Sequence, residues 1–223
     1  MTEALNLRTL LRAYPSLTWR DRLHMIIRWR VCPMQKIAAL VPTDGVILDL
    51  GCGHGLFAQM LARGAAARQV IGVDLDADKV ALAQTLTERL PNVQFEAGDV
   101  ADLAADLPPA QAITILDVFY LVPFAVQERL LTLCADKLAS GGVLILKEMA
   151  ETPRWKAFLN WLEETLAVRV LKITASSEEQ VHFYFRPRAE WQKLLEQRGL
   201  TVEIVKLDAG YYHPHVVFIG RKP

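Results

Sequence analysis

The stretch Val46-Ile-Leu-Asp-Leu-Gly-Cys-Gly-His-Gly-Leu-Phe57 decides the fold of this chain. Its first five residues are apolar except for Asp49, which predicts a short strand buried on both faces, as in a parallel sheet. Three glycines then alternate with a cysteine and a histidine, so the backbone can turn sharply and approach a ligand closely. The apolar segment 56–61 predicts a helix. A strand, a glycine loop and a helix in this order are typical of a nucleotide-like ligand held at a helix N-terminus.

The spacing of the glycines argues against two common nucleotide-binding patterns. The dinucleotide fingerprint Gly-x-Gly-x-x-Gly needs a glycine at position 56, where this chain has leucine, and no Gly-Lys-Ser/Thr follows as in a P-loop. The pattern present is Asp-x-Gly-x-Gly-x-Gly, with Asp49 two residues before Gly51. That carboxylate would repel a pyrophosphate but suits the ammonium or sulfonium of a cationic ligand. The alternative is a purely structural strand-turn-helix in another kind of α/β protein.

In this pattern the chain resembles the class I S-adenosylmethionine-dependent methyltransferases, over about residues 31–220. The resemblance implies an α/β fold of the Rossmann-like, doubly wound type. Its sheet is mostly parallel and seven-stranded with the last strand antiparallel, and helices precede it at the N-terminus. It also implies S-adenosyl-L-methionine as cofactor and S-adenosyl-L-homocysteine as product. Within the first motif it assigns cofactor contacts to Asp49, Gly51, Cys52, Gly53 and Gly55.

The second predicted strand, residues 69–75, ends in an acid. Asp74 lies roughly twenty residues beyond the glycines, a spacing at which a carboxylate accepts hydrogen bonds from the ribose hydroxyls of an adenosine. A carboxylate that closes a buried strand is costly unless something donates a hydrogen bond to it. The alternative is that Asp74 caps the helix predicted over residues 76–89. We favour the ribose contact, which would place Leu75 against the adenine.

The turn after the third predicted strand, residues 92–97, reads Gly98-Asp99-Val100. In the resembled family an acid at this point accepts a hydrogen bond from the adenine amino group, and its neighbour packs on the ring. The resemblance therefore assigns these two adenine contacts to Asp99 and Val100.

The fourth predicted strand, residues 112–118, leads into the position of the family's fourth motif, beside the methionine part of the cofactor and the acceptor. This places Asp117 among the cofactor contacts. Methyltransferases that act on nucleic-acid amino groups carry Asp/Asn-Pro-Pro-Tyr/Phe here, whereas this chain has Asp117-Val-Phe-Tyr120. Cys134 falls on the apolar stripe of the next helix, unlike the catalytic cysteine of RNA cytosine C5 enzymes. Nucleic acid is therefore disfavoured as a substrate.

The segment 138–148 predicts a helix end at Gly141-Gly142 and a fifth buried strand over residues 143–146. Lys147 and Glu148 follow, at the strand end where open α/β sheets bind ligands. They either shape an acceptor pocket or form a local ion pair.

Methyl transfer from a sulfonium is an in-line displacement, and a base assists when the acceptor is a hydroxyl or an activated carbon. We choose Tyr120, His182 and Glu148 as candidate catalytic residues, although no spacing singles out one of them. The pair His213-Pro-His215 resembles a metal-binding pair, but no acid cluster accompanies it, so we predict no metal.

The first 36 residues form a basic arm. Its basic residues are Arg8, Arg12, Arg20, Arg22, Arg28, Arg30 and Lys36. Only Glu3 and Asp21 oppose these seven, so the arm carries +5 (seven minus two) and the remainder of this neutral chain carries −5. Two interpretations stay open, a lid over the cofactor pocket or a docking surface for an anionic partner, either a carrier protein or a membrane surface.

A helix is predicted within the arm, beginning at the capping pair Thr18 and Asp21. Its predicted buried face consists of Trp19, Leu23, Ile26 and Ile27. Trp29 lies away from that stripe and is predicted to be exposed among the arginines.

The length of 223 residues suits one α/β domain, with residues 1–42 as a helical N-terminal cap and residues 43–223 as the α/β core. No apolar run reaches the roughly 18 residues of a membrane span. The charged first residues predict no signal peptide. Three cysteines without CxxC spacing indicate a reducing compartment, so we expect a cytoplasmic protein.

These observations predict a methyltransferase that acts on a small, apolar or aromatic metabolite by O- or C-methylation. Two alternatives stay open: a non-catalytic S-adenosylmethionine-binding partner subunit, and another adenosine-ligand enzyme such as an aminopropyltransferase-like protein.

Overall fold

A computed structural model describes residues 6–103, 106–149, 183–207 and 215–223. Seven strands form one sheet in the order β3-β2-β1-β4-β5-β7-β6. They are β1 Gly45–Leu50, β2 Arg68–Asp74, β3 Val93–Ala97, β4 Ala110–Leu116, β5 Leu138–Met149, β6 Thr201–Lys206 and β7 His215–Arg221. β7 runs antiparallel to both of its neighbours, and the first five strands are mutually parallel where they pair. The predicted fold class is confirmed.

Helices cover both faces of the sheet. In the described ranges they are α1 Leu7–Leu11, α2 Trp19–Val31, α3 Met34–Ala38, α4 Leu56–Gly64, α5 Ala77–Gln84, α6 Val100–Leu103, α7 Phe124–Lys137 and α8 Arg188–Glu196. A 3-10 turn spans Phe119–Leu121. Alternate residues of the central strands feed two apolar cores, with Ile47 in the core on one face and Leu48 in the core on the other. This double burial is why the central strands read as continuous apolar runs.

The end of the helix before β5 was predicted wrongly. Helix α7 ends at Lys137, and Gly141-Gly142 lie inside β5, where the register against β4 shifts between Ala110 and Ala112. Gly141 has a φ of 74°, a left-handed conformation that glycine adopts without steric cost, so the irregular strand start uses the glycine that suggested a helix end.

The buried face of α2 was predicted wrongly at three of its four residues, whereas Ile26 packs against the core as predicted. Trp19, Leu23 and Ile27 are exposed, with relative accessibilities of 67%, 36% and 43%. The face that packs inward contains Met25, which is 1% exposed, and Trp29, which packs against the core instead of being exposed. The helix start is confirmed, because Thr18 Oγ1 accepts a hydrogen bond from the Asp21 amide at 3.2 Å.

Arg68, the first residue of β2, connects the N-terminal helices to the sheet. Its side chain is buried, and it donates to the carbonyl oxygens of Pro42 at 2.6 Å and of Val41 and Leu61 at 2.9 Å. Val41 and Pro42 lie in the loop after α3, and Leu61 lies in α4. One guanidinium therefore satisfies backbone acceptors that burial would otherwise leave without donors.

Replacement of Arg68 by methionine should lower the free energy of unfolding by about 2–4 kcal/mol, because several buried carbonyls lose a charged donor at once. Urea denaturation followed by circular dichroism measures this change. Arg129→Met is the matched control, since Arg129 is exposed on α7, and it should change stability by less than about 0.5 kcal/mol. Equal stability of the two variants would contradict the role given to Arg68.

Candidate functional site

A cavity of about 560 Å³ opens at the carboxyl ends of the parallel strands. Nine of the ten predicted cofactor residues line it, and Gly55 does not. The nine are Asp49, Gly51, Cys52, Gly53, Asp74, Leu75, Asp99, Val100 and Asp117. They come from the ends of four different strands, which a parallel sheet gathers at one edge.

The glycine loop between β1 and α4 holds a left-handed backbone at each of its three glycines. The φ angles of Gly51, Gly53 and Gly55 are 76°, 53° and 75°. A Cβ on Gly53 would meet no atom within 4 Å, whereas one on Gly55 would lie 2.7 Å from the ring of Phe95. Gly53 therefore borders open cavity space, and Gly55 instead allows α4 to pack closely on the sheet.

Asp74 joins the glycine loop to the end of β2. Its Oδ2 accepts a hydrogen bond from the Gly53 amide at 2.7 Å, and its Oδ1 accepts one from the Asp76 amide at 2.9 Å. Asp76, not Asp74, caps α5 by accepting from the Lys79 amide, so the capping alternative for Asp74 is wrong. Each carboxylate oxygen of Asp74 can accept a further hydrogen bond, as two ligand hydroxyls would require.

Asp49 lies buried at the end of β1. Its Oδ1 accepts a hydrogen bond from Thr114 Oγ1 at 2.7 Å, and burial raises its pKa to about 6 in spite of that bond. Burial, followed by the charges of Asp49 and Asp74, raises the pKa of the Cys52 thiol well above its ordinary value. Because thiols react as thiolates, this protonated thiol is not a nucleophile.

Leu75, Asp99 and Val100 form the rim of the cavity beyond Asp74. Leu75 is 69% exposed although it follows a buried strand, and Asp99 is also exposed. Asp99 Oδ1 accepts from the Ala101 amide at 2.7 Å, which leaves acceptor capacity on its carboxylate. Two apolar side chains beside a carboxylate suit a flat heterocycle that carries an amino group.

A cluster of three charged side chains, Asp117, Lys147 and Arg28, lines the second half of the cavity, at the ends of β4 and β5. The glycine loop and Asp74 line the first half, at the ends of β1 and β2. Asp117 follows β4 with a φ of 56°, and its carboxylate pairs with Lys147 of β5 and, at 2.7 Å, with Arg28 of α2. Burial alone would raise the pKa of Asp117, but the charges of Lys147 and Arg28 hold it at about 2. Lys147 pairs with Asp117 and not with Glu148, so the local ion pair considered for Lys147 and Glu148 is not formed.

Of the three predicted catalytic residues, the structure describes Tyr120 and Glu148. Tyr120 lines the cavity and stacks on Phe185, with 5.8 Å between ring centroids. Glu148 is buried, is not among the cavity-lining residues, and accepts a hydrogen bond from the Phe119 amide at 3.3 Å. His182 and the residues around it from 150 to 182 lie outside the described residues. All three catalytic roles stay predictions.

The N-terminal helices supply cavity residues that the sequence analysis did not assign to the cofactor site. His24 and Arg28 of α2 line the cavity, together with His54 of the glycine loop. Burial, followed by the charges of Arg28 and His54, lowers the pKa of His24 to about 3, so its ring is neutral at neutral pH. Arg28 and Asp117 are 89 positions apart, and no local spacing could have paired them. The only sequence signal was the excess of arginine in the arm.

His215, at the start of β7, also lines the cavity. Its neighbour His213 falls outside the described residues. Within the ranges that are described, no group of three or more His, Cys, Asp or Glu side chains could hold a metal ion.

Strand order and site together define the class of protein. The resemblance to class I methyltransferases predicted a mostly parallel, seven-stranded sheet with an antiparallel last strand, a glycine loop after β1 and a carboxylate closing β2, and the structure has all of these features. The strand order, 3-2-1-4-5-7-6, comes from the structure. The family model described as a methyltransferase domain matches residues 27–205. The chain belongs to this S-adenosylmethionine-dependent methyltransferase family.

Two curated relatives and one solved structure illustrate the similarity. A ubiquinone biosynthesis O-methyltransferase of Xanthomonas campestris is 34% identical over 123 residues, which are 54% of this chain and 50% of that protein. A trans-aconitate 2-methyltransferase of Deinococcus radiodurans is 31% identical over 134 residues, which are 59% and 49% of the two chains. The chain thus spans about half the length of these relatives.

The solved structure is magnesium protoporphyrin IX methyltransferase from Synechocystis, with bound S-adenosylhomocysteine. It superposes with a TM-score of 0.63 at 17% identity and covers 95% of this chain and 91% of its own. At this identity the likeness supports the fold alone.

Two glycine substitutions should distinguish a glycine that borders the ligand from a glycine that allows close packing of α4 on the sheet. Gly53→Ala should leave a folded protein that binds S-adenosylhomocysteine at least about tenfold more weakly, because its methyl group enters the cavity. Gly55→Ala shares the left-handed strain but also pushes into Phe95, so it should cost about 1–3 kcal/mol of stability more than Gly53→Ala. Calorimetric titration and thermal unfolding measure the two effects. Unimpaired binding by Gly53→Ala would show that the loop does not touch the ligand.

Glu148 should make the folded state less stable as pH rises. Burial, followed by the charge of Asp117, raises its pKa to about 8 from an ordinary value of 4.5. Since the folded state holds this proton more tightly, the stabilisation is complete below pH 4.5 and lost as pH rises to about 8. Relative to wild type, Glu148→Gln should gain stability over that window, on the order of 5 kcal/mol. Urea titrations at a series of pH values measure the difference, and a pH-independent difference would refute the shift.

Proposed function

We propose that this protein transfers the methyl group of S-adenosyl-L-methionine to a small, apolar or aromatic metabolite, by O- or C-methylation. The observation that carries the proposal is a single cavity with two unlike halves. Glycine-loop residues and carboxylates line one half, and Phe119, Tyr120 and the Asp117 cluster line the other. Such a cavity can hold a cofactor and an acceptor side by side.

The residues of the first half fit the proposed cofactor. Asp74 would hold the ribose, Leu75, Asp99 and Val100 the adenine, and the glycine loop the part between adenosine and methionine. Asp49 beneath the loop contributes negative charge where a cationic ligand would lie. When bound, the cofactor supplies an electrophilic methyl group on sulfur.

The residues of the second half would position the acceptor. Phe119 and Tyr120 line the cavity and suit an apolar or aromatic acceptor, and Tyr120 itself packs against Phe185 and Phe183, with 5.8 Å and 5.9 Å between ring centroids. Alignment of an acceptor atom with the methyl group can supply about 7–11 kcal/mol of the barrier reduction. Tyr120 is the candidate base that borders the cavity, and Glu148 would act only through its contact with the Phe119 amide.

Arg28 and Lys147 keep Asp117 ionised, so Asp117 would not act as a base at neutral pH. Its role in the proposal is to hold the charged groups of Arg28 and Lys147 in place in the second half of the cavity. The positively charged partners of Asp117 also favour an acceptor that carries an acidic group, in addition to its apolar part.

Two alternative functions would use the same cofactor-binding half of the cavity but differ from methyl transfer in their chemistry. A non-catalytic partner subunit would bind S-adenosylmethionine and turn over no acceptor. An aminopropyltransferase-like enzyme would transfer a different group from a decarboxylated cofactor. The aromatic acceptor half favours methyl transfer over both. We also propose that residues 1–223 act as one domain with residues 1–42 as a cap, in the cytoplasm, and without a metal.

Charge removal at Asp74 tests the cofactor half. Asp74→Asn should bind S-adenosylhomocysteine about 10- to 100-fold more weakly, because hydrogen bonds to a charged acceptor are worth about 1.5–3 kcal/mol. Asp78→Asn is the matched control, since Asp78 is exposed on α5 and does not line the cavity. Wild-type protein should be stabilised by S-adenosylhomocysteine in thermal unfolding and not by NAD. Stabilisation by NAD alone would end the proposal.

Transfer of radiolabelled methyl from S-adenosylmethionine to a panel of small aromatic and apolar acids, phenols and amines tests the reaction. We expect product with at least one acceptor, and a loss of turnover in Tyr120→Phe with little change in S-adenosylhomocysteine affinity. Tight cofactor binding without turnover on any extract would favour the partner-subunit alternative.

A further inference from the structure

The outer face of the N-terminal helices combines apolar and basic side chains in an order that is unusual for a solvent-exposed surface. Trp19, Leu23 and Ile27 follow one another at intervals of four residues on α2, and they therefore share one face of the helix. All three are exposed, and Trp19 is 67% accessible. We call these three residues the apolar stripe.

Arginines border the apolar stripe on both sides. On a helical projection Arg20 lies beyond Ile27, and Arg22 lies on the opposite side of the stripe. The Arg20 guanidinium lies over the Trp19 ring, 5.4 Å from its centroid. Arg20, Arg22 and Arg30 are all exposed.

A groove of about 510 Å³ between α1 and α2 gathers four arginines next to the stripe. They are Arg8, Arg12, Arg22 and Arg30, and we call them the arginine groove. In the described part of the chain none of the four forms a salt bridge with an acid. Four like charges around one groove repel one another, so an anionic group placed there would be bound favourably.

Arg28 is different from these four. It lies on the inner side of α2, pairs with Asp117 and lines the methyltransferase cavity. The basic residues of the arm thus fall into two groups. Arg28 forms an ion pair on the inner side of α2, and the arginine groove lies on the outer side.

We propose that the apolar stripe and the arginine groove form a docking site for an anionic membrane surface. A helix that rests on a bilayer presents apolar side chains to the acyl region and arginines to the phosphate headgroups beside it. The exposed face of α2, an apolar stripe with Arg20 on one side, Arg22 on the other and Arg30 in line with it at the C-terminal end of the helix, matches this requirement. An acidic protein would pair with the arginines but would leave Trp19 and Leu23 without an apolar environment.

The docking site adjoins the mouth of the methyltransferase cavity. Ile27 belongs both to the apolar stripe and to the cavity lining. Docking would therefore bring the acceptor half of the cavity near the lipid surface, and an amphiphilic acceptor could enter from there. Membrane binding itself does not depend on the methyl transfer proposed above.

Sedimentation with lipid vesicles tests the proposal on the full chain. Wild-type protein should partition to vesicles of equimolar phosphatidylcholine and phosphatidylglycerol and not to vesicles of phosphatidylcholine alone. Binding should weaken as salt rises, because exposed charges are screened. Equal binding to both kinds of vesicle, or to neither, would overturn the proposal.

Charge-reversal variants identify the surface. Arg22→Glu with Arg30→Glu should lower the partition coefficient at least about tenfold, since each basic residue near an anionic surface contributes about a fivefold effect. Arg129→Glu with Arg188→Glu makes the same charge change at exposed positions on α7 and α8 and should bind like the wild type. An equal loss in this control would reduce the effect to net charge and refute the site.

A separate double variant tests the contribution of the apolar stripe to vesicle binding. Trp19→Ser with Leu23→Ser should lower vesicle binding at high salt, where the electrostatic contribution is small, and S-adenosylhomocysteine affinity should stay unchanged in every variant. Binding that survives this change at high salt would contradict insertion of the stripe. Protection by inorganic phosphate in thermal unfolding, or capture by an acidic carrier protein, without vesicle binding would assign the groove to those ligands and overturn the membrane assignment.

Discussion

The buried carboxylate of Asp117 is the interaction on which the arrangement of this site depends. It follows β4, and its partners Lys147 and Arg28 belong to β5 and α2, so one charge joins the sheet to the N-terminal helices. A buried carboxylate is stable only with such partners. The φ of 56° at Asp117 is unfavourable for a residue with a side chain, and the Asp117 amide, which donates to the Lys147 carbonyl at 3.1 Å, helps to hold it.

The parallel sheet explains why charges of opposite character meet in one cavity. Every strand of the parallel part ends at the same edge, so residues from distant parts of the chain become neighbours there. Asp49 and Asp74 lie on one side, and Asp117 with its two cations lies on the other. The cavity therefore has a negative half and a half in which positive charge exceeds negative. This arrangement suits two ligands that differ in charge.

The inner and outer faces of helix α2 carry different kinds of side chains. Its inner face carries His24 and Arg28 to the cavity, and its outer face carries the apolar stripe between arginines. The cavity-lining side chains and the proposed docking surface therefore lie on neighbouring faces of one helix, and the two faces meet at Ile27.

The fold class, the glycine loop and the run of acids after the strands could be predicted from the sequence, because continuous apolar runs and glycine spacing are local signals. Nine predicted cofactor residues line one cavity for this reason. Which face of α2 is buried depends on tertiary packing, since that helix has apolar residues on two faces and the fold buries Met25 and Trp29 while Trp19 stays exposed. The tertiary structure also decided that Lys147 pairs with Asp117 and not with its neighbour Glu148, because adjacent strand residues point to opposite faces of the sheet.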